Sequence, residues 1–156
     1  MALRCQQASS TKQKAISCKI HTICRRPEKI PKELFPIIDL FVEDNDDKPL
    51  SLIKIHMGRL FLEGDEEQEL MLRLNGPELT VARIAFRHRR QGYMTRLEQM
   101  LLDICAKLPD KKGICIESVE SKAMLKYCRK NGYKGKPYCE TDFIKECRQA
   151  TTADSN

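Results

Sequence analysis

Ile84-Ala-Phe-Arg-His-Arg-Arg-Gln-Gly-Tyr-Met-Thr95 changes its periodicity midway. Its opening residues close a run of β-branched and apolar side chains that begins at Thr80, which predicts a strand over 80–86. Beyond Gly92 the apolar residues Met94, Leu97, Met100, Leu101, Ile104, Cys105 and Leu108 recur at three- and four-residue steps, the period of an amphipathic helix. Between the two lies a cationic turn, Arg87-His-Arg-Arg90, followed by one glycine. A helix begins with unpaired N–H groups and the positive end of its dipole. A strand, a basic turn, a glycine without Cβ and a helix N-terminus together form a phosphate-binding arrangement.

Downstream, Pro109-Asp-Lys-Lys-Gly113 ends the helix and 114–119 reads as a short strand. Residues 121–130 predict a second helix with Met124, Leu125 and Cys128 inward, stopped by Asn131-Gly132. Residues 133–139 predict a last short strand, and 141–147 a terminal helical turn. Upstream, 15–25 alternates with Ile16, Cys18, Ile20, Thr22 and Cys24 on one face, a strand signal. Residues 32–42 suit a short amphipathic helix with Pro36 near its start, and Asp44-Asn-Asp-Asp-Lys-Pro49 a turn. Residues 50–63 read as one long or bent strand, with Gly64-Asp-Glu-Glu67 closing a hairpin onto 70–74. Asn75-Gly76-Pro77 turns the chain into the strand that leads to the basic turn. A meander followed by helix, strand, helix and strand implies an α/β (α+β) fold, a single mixed, mostly antiparallel twisted sheet flanked by helices. The expected organisation is a polar tail over 1–14, one domain over 15–148 and a polar tail over 149–156.

The chain has 156 residues, 41% hydrophobic and 32% charged, with a formal net charge of +6. That is enough apolar material for a core, and the charge favours acidic partners such as phosphates, nucleotides or nucleic acid. Its eight cysteines form no C-x-x-C pair, and several fall at apolar positions where a free thiol packs as a small hydrophobe. No stretch is long enough to span a membrane and no apolar leader opens the chain, so a reduced, cytoplasmic setting is expected. Cys18, His21 and Cys24 have a zinc-like spacing, but a strand sends Cys18 and His21 to opposite faces and no fourth ligand is evident. No metal is expected.

Neither GxxxxGK[ST] nor GxGxxG occurs, which argues against a P-loop and against a Rossmann dinucleotide site. Arg89-Arg-Gln-Gly92-Tyr-Met94, set between a strand and a helix, resembles the signature turn of the GNAT superfamily of N-acetyltransferases. The family reads Arg or Gln, two residues, Gly, one residue, then Gly or Ala. The later elements follow at the family's distances, and Gly132-Tyr133 stands where members end with Gly-Phe. The resemblance covers about residues 79–133.

The resemblance implies a GNAT-like fold and an acyl-CoA-dependent N-acyltransferase, with acetyl-CoA as cofactor and direct attack by an amine. It implies that the backbone of Ile84, Ala85 and Phe86 pairs with the pantetheine arm. The N–H groups of Arg89, Arg90, Gln91, Gly92, Tyr93, Met94 and Thr95 would then grip the pyrophosphate. Departures touch the chemistry. Met94 replaces the usual small residue, and Ser121 stands where many members carry Asn. The register puts Cys128 at the general-acid tyrosine position and Tyr127 one residue early, so both are catalytic candidates. Glu78, Glu117 and His56 are candidate bases, and water also serves in this family. The acceptor amine is open: a small molecule, a protein or a nucleobase. The alternative is a catalytically impaired GNAT-like binding protein, associated with nucleic acid through its basic turn, although no recognition helix or base-stacking aromatic motif is evident.

Overall fold

A computed structural model describes residues 30–147. The alternating segment 15–25, the Cys18/His21/Cys24 spacing and both expected tails lie outside the described residues. Pro31 leads into a 3-10 turn, Lys32–Leu34, which runs on as helix α1, Phe35–Asp44. Pro36 falls in the first turn of α1, where its missing N–H has no intrahelical partner to lose.

Four antiparallel strands follow: β1 (Leu52–His56), β2 (Arg59–Glu63), β3 (Glu69–Arg73) and β4 (Glu78–Ala85). The single long strand expected over 50–63 is two strands. Met57 and Gly58 both have left-handed φ, 49° and 69°, and His56 pairs with Arg59, a tight hairpin of the kind that matches strand twist. Methionine is not a turn former, which hid the break. Helix α2 (Tyr93–Lys107), strand β5 (Gly113–Ile116) and helix α3 (Lys122–Lys130) follow, with Ser121 accepting a hydrogen bond from the Met124 N–H as the N-cap of α3. Strands β6 (Lys134–Lys136) and β7 (Cys139–Glu146) complete the sheet.

The helical turn expected over 141–147 is therefore a correction: most of it is β7. Phe143 and Ile144 pair with Ile116 and Cys115 on β5, while β6 pairs with the other edge of β7. A segment inserted between two strands has its backbone groups satisfied on both sides, and that outweighs a weak local helical tendency.

Among the described residues the result is a mixed α+β fold with one seven-stranded sheet in the order β1-β2-β3-β4-β5-β7-β6. Every pairing is antiparallel except β4 with β5. This mostly antiparallel sheet with three flanking helices is compatible with a GNAT-like fold. Leu60, Leu62, Leu70, Leu72, Leu79, Val81, Ile114 and Ile116 form one core with Ile37, Ile38 and Phe41 of α1 and Leu97 and Leu101 of α2. Cys128 of α3 joins the same cluster. Because side chains alternate along a strand and these share one cluster, the three described helices pack on one face of the sheet. No described helix is long and apolar enough to cross a membrane.

Leu72 pairs with Val81 and Met71 with Arg83, so Ala82 is an extra residue, a β-bulge. Before it Leu79 and Val81 face the helices; after it Ile84 and Phe86 do, with the parity reversed. The bulge carries the core face of β4 up to the basic turn.

Candidate cofactor site

β4 and β5 pair in parallel only from Glu78↔Gly113 to Val81↔Ile116. The last bond between them runs from the Glu117 N–H to the Val81 carbonyl, 3.0 Å. Beyond it β4 continues to Ala85 with β3 on one side and no described strand on the other. The two strands thus part into a fork. Ile84 and Ala85 lie on its β4 arm, and Phe86 follows directly. Phe86 stacks between Phe41 and Tyr93, with ring centroids 5.1 and 5.6 Å away, and this aromatic row ties the end of β4 to α1 and to the first turn of α2.

The basic turn is fixed from beneath by a buried carboxylate. Asp44, at the C-terminus of α1 and fully buried, accepts the Arg87 N–H at 2.7 Å, the His88 N–H at 2.8 Å and the Gln68 side-chain amide at 2.6 Å. Gln68 in turn donates to the Phe41 carbonyl at 2.8 Å. Beside this, the Arg87 guanidinium meets Asp46 and Glu66 at 3.1 and 3.3 Å. His88 does not project freely into solvent; its Nε2 lies 2.7 Å from Asp46, and that hydrogen bond holds the Asp46 carboxyl below the usual carboxylate range. Arg87 is therefore neutralised within the fold. The charges left to face an incoming anion are Arg89 and Arg90, both exposed and without an ion pair among the described residues.

The start of α2 receives no side-chain acceptor from the described residues. Gly92 is its N-cap in the left-handed region (φ 77°), with no side-chain cap and no acidic residue in the first turn. Arg90 also has positive φ, 61°, a left-handed conformation of the kind from which anion-binding nests are built. Tyr93 is buried and Met94 packs against the core, leaving Gln91, Gly92 and Thr95 at the surface.

The network around Gln68 also explains Gly64. A Cβ at that position would lie 1.8 Å from Gln68 Oε1, which is buried. The Gly64→Ala variant must push the Gln68 carboxamide off the Phe41 carbonyl and Asp44, at an expected loss of about 2 kcal/mol in urea unfolding. An unchanged midpoint would mean that the Gln68 side chain moves aside freely.

Tyr127 and Cys128 lie on α3, facing α2. The Tyr127 hydroxyl donates to Glu98 Oε2 at 3.0 Å, and Lys145 of β7 donates to Glu98 Oε1, also at 3.0 Å. Glu98 is buried, one turn into α2 from the candidate anion site. Burial, and then the charge and hydrogen bond of Glu98, push the Tyr127 phenol well above its ordinary range. Burial and the same charge push the Cys128 thiol up to about 11. Tyr133 is buried beside this group, its ring 6.5 Å from that of Tyr127 and 5.6 Å from the Lys145 ammonium, and its hydroxyl makes no hydrogen bond of ordinary geometry. Asp44 and Glu98 are the two residues that sequence reasoning missed. The second had a signal: a lone carboxylate inside the apolar stripe of Leu97 and Leu101.

The candidate bases are widely separated. Glu78, at the closed end of the β4–β5 pair, lies 3.6 Å from Lys136. His56 is on β1, three strands from β4. Glu117 is the one at the fork, and Arg73 of β3 holds it through two parallel hydrogen bonds, one of 2.8 Å from Nη1 to Oε1. Among the described residues no group of three or more His, Cys, Asp or Glu side chains could hold a metal ion.

No family model matches the chain, and no curated protein matches it. Among solved structures the chain is similar to a chain of the crystal structure of a KacTA–DNA complex. The two share 13% identity over 72% of this chain and 80% of that one, with a TM-score of 0.41. A likeness of that depth carries nothing about activity.

Proposed function

We propose that the chain binds acetyl-CoA along the fork and the basic turn and transfers its acetyl group to an amine. The observation that carries this reading is the fork itself. β4 loses β5 as a neighbour beyond Val81, and after Phe86 the chain enters a turn whose helix start has neither side-chain cap nor acid. An extended ligand arm has backbone to pair with at Ile84, Ala85 and Phe86. A pyrophosphate has the N–H groups of Arg89 through Thr95, with the Arg89 and Arg90 side chains beside them. When bound, the cofactor supplies the activated acyl thioester. The protein's part is to hold it, to exclude water and to handle two protons, one leaving the amine and one reaching the departing sulfur.

Tyr127 and Cys128 are the acid candidates. Cys128 remains a thiol at neutral pH and so has a proton to give, whereas the Tyr127 proton is directed to Glu98. The same hydrogen bond, with the complete burial of Cys128, favours a second reading in which the site binds the cofactor and transfers slowly or not at all.

Chromatographic measurement of free CoA and acetylated amine separates the two. The transferase reading expects product with at least one class of primary amine, a drop of tenfold or more in Cys128→Ala and a smaller one in Tyr127→Phe. Saturable binding of acetyl-CoA with no acetylated product across amino acids, peptides, polyamines and nucleobases would leave the binding-protein reading standing.

A further inference from the structure

The face of the sheet opposite the helices carries a pattern that the cofactor reading does not use. Along β2, β3 and β4 the residues that alternate with the core positions are Arg59, Phe61, Met71, Arg73 and Arg83. Arg59 and Arg73 are direct cross-strand partners, and Arg83, opposite Met71, is diagonal to Arg73. Like charges directly opposite one another on a sheet destabilise it. Only Arg73 has an ion pair among the described residues, and its partner is Glu117 at the mouth of the fork. Arg59 and Arg83 are exposed, and no described helix covers them. The acidic pair Glu63↔Glu69 lies further along the same face and makes no ion pair with either arginine.

We infer that this face is the acceptor side of the fork and that its ligand is a small amine carrying an anionic group, a phosphate or a carboxylate. The assignment rests on the proposed acyl-transfer reading for its function, though not for its binding chemistry. Arg59 and Arg83 take the anionic group, which relieves the repulsion between neighbouring guanidiniums. Glu117, already fixed by Arg73, faces the ammonium end and keeps it at the fork. Phe61 and Met71 between the charges provide an apolar floor for the aliphatic link. A polyamine has the wrong sign for the arginine end of this face, and Glu63 and Glu69, level with Ala85, form its separate acidic end.

The test compares O-phosphoethanolamine, ethanolamine and spermidine on the full chain, by calorimetry and by acetyl transfer. In the calorimetry CoA is present at saturation, and in the transfer assay acetyl-CoA is, so that the phosphate of the probe does not occupy the basic turn. The expected result is binding of O-phosphoethanolamine at least tenfold tighter than ethanolamine, with acetylation in the same order. Arg59→Ser/Arg83→Ser, both exposed positions, removes the difference while acetyl-CoA affinity stays unchanged. Equal binding of the three amines by wild-type protein would overturn the inference, as would a preference that survives in the double variant. If wild-type protein fails to bind acetyl-CoA, the acyl-transfer reading falls. The same three titrations without CoA, in Arg90→Glu/Gly92→Glu protein, still decide whether the arginine face selects the anionic amine.

Discussion

Asp44→Ala is expected to lower the unfolding free energy by about 4 kcal/mol, the largest single effect of any polar residue at the site. The substitution leaves the Arg87 and His88 N–H groups without an acceptor and takes one of the two acceptors of the Gln68 amide, which keeps the Phe41 carbonyl. A buried donor left unpaired costs roughly 1–3 kcal/mol, and Asp44 is fully buried, so water does not take its place without opening the end of α1. Asp44→Asn keeps the shape and one accepting oxygen but turns a donor toward other donors, so its loss falls between alanine and wild type. Urea unfolding of the three proteins measures this. A loss below about 1 kcal/mol for alanine would mean that the turn finds other acceptors and is not held from beneath. Because Asp44 fixes the first residues of the turn, both variants are also expected to weaken acetyl-CoA binding, which a purely distal stability defect would not do at temperatures where the protein remains folded.

Glu98→Ala is expected to cost about 3 kcal/mol, since it strands the Lys145 ammonium and the Tyr127 hydroxyl in a half-buried site. The more informative protein is the double variant Glu98→Leu/Lys145→Leu. Removing both charges and leaving apolar side chains of similar size is close to neutral when the Coulombic gain of a buried pair only balances its desolvation. Most of the loss should therefore return in the double variant. The thiol gives a second reading. Glu98 raises Cys128, so without the carboxylate the Cys128 thiol titrates below its present value of about 11, with its burial still holding it up. A single variant as stable as wild type would mean that the contacts of Glu98 with Tyr127 and Lys145 contribute little.

How far these residues could be read from the chain follows from the range of the forces involved. The strand, basic turn and helix over 80–107 were legible because the periodicity switches inside one short stretch and a glycine marks the junction. The helix over 122–130 was legible from its apolar spacing and the Asn131-Gly132 stop. The hairpin at Met57-Gly58 was not, because its left-handed methionine carries no turn signature. β7 was misread because its identity comes from β5 and β6, which pair with it from either side. The bulge had a trace in the sequence. Leu79 and Val81 are odd-numbered and Ile84 and Phe86 even-numbered, a parity change that only a bulge near Ala82 can reconcile with one core. Asp44 looked like one more acid in an acidic turn, since the N–H groups it accepts lie more than forty residues away. Glu117 could be named as a candidate but not chosen over Glu78 and His56 until the register of β4 and β5 showed which of the three stands where the strands part.

Calorimetric titration of the folded protein with acetyl-CoA, beside Arg90→Glu/Gly92→Glu, tests the central claim most directly. The expected result is micromolar binding by the wild type and none by the variant, whose added carboxylates meet the N–H groups meant for the pyrophosphate. No heat of binding from well-folded wild-type protein up to about a millimolar ligand would contradict the cofactor site, and equal affinity in the variant would contradict its location at the turn.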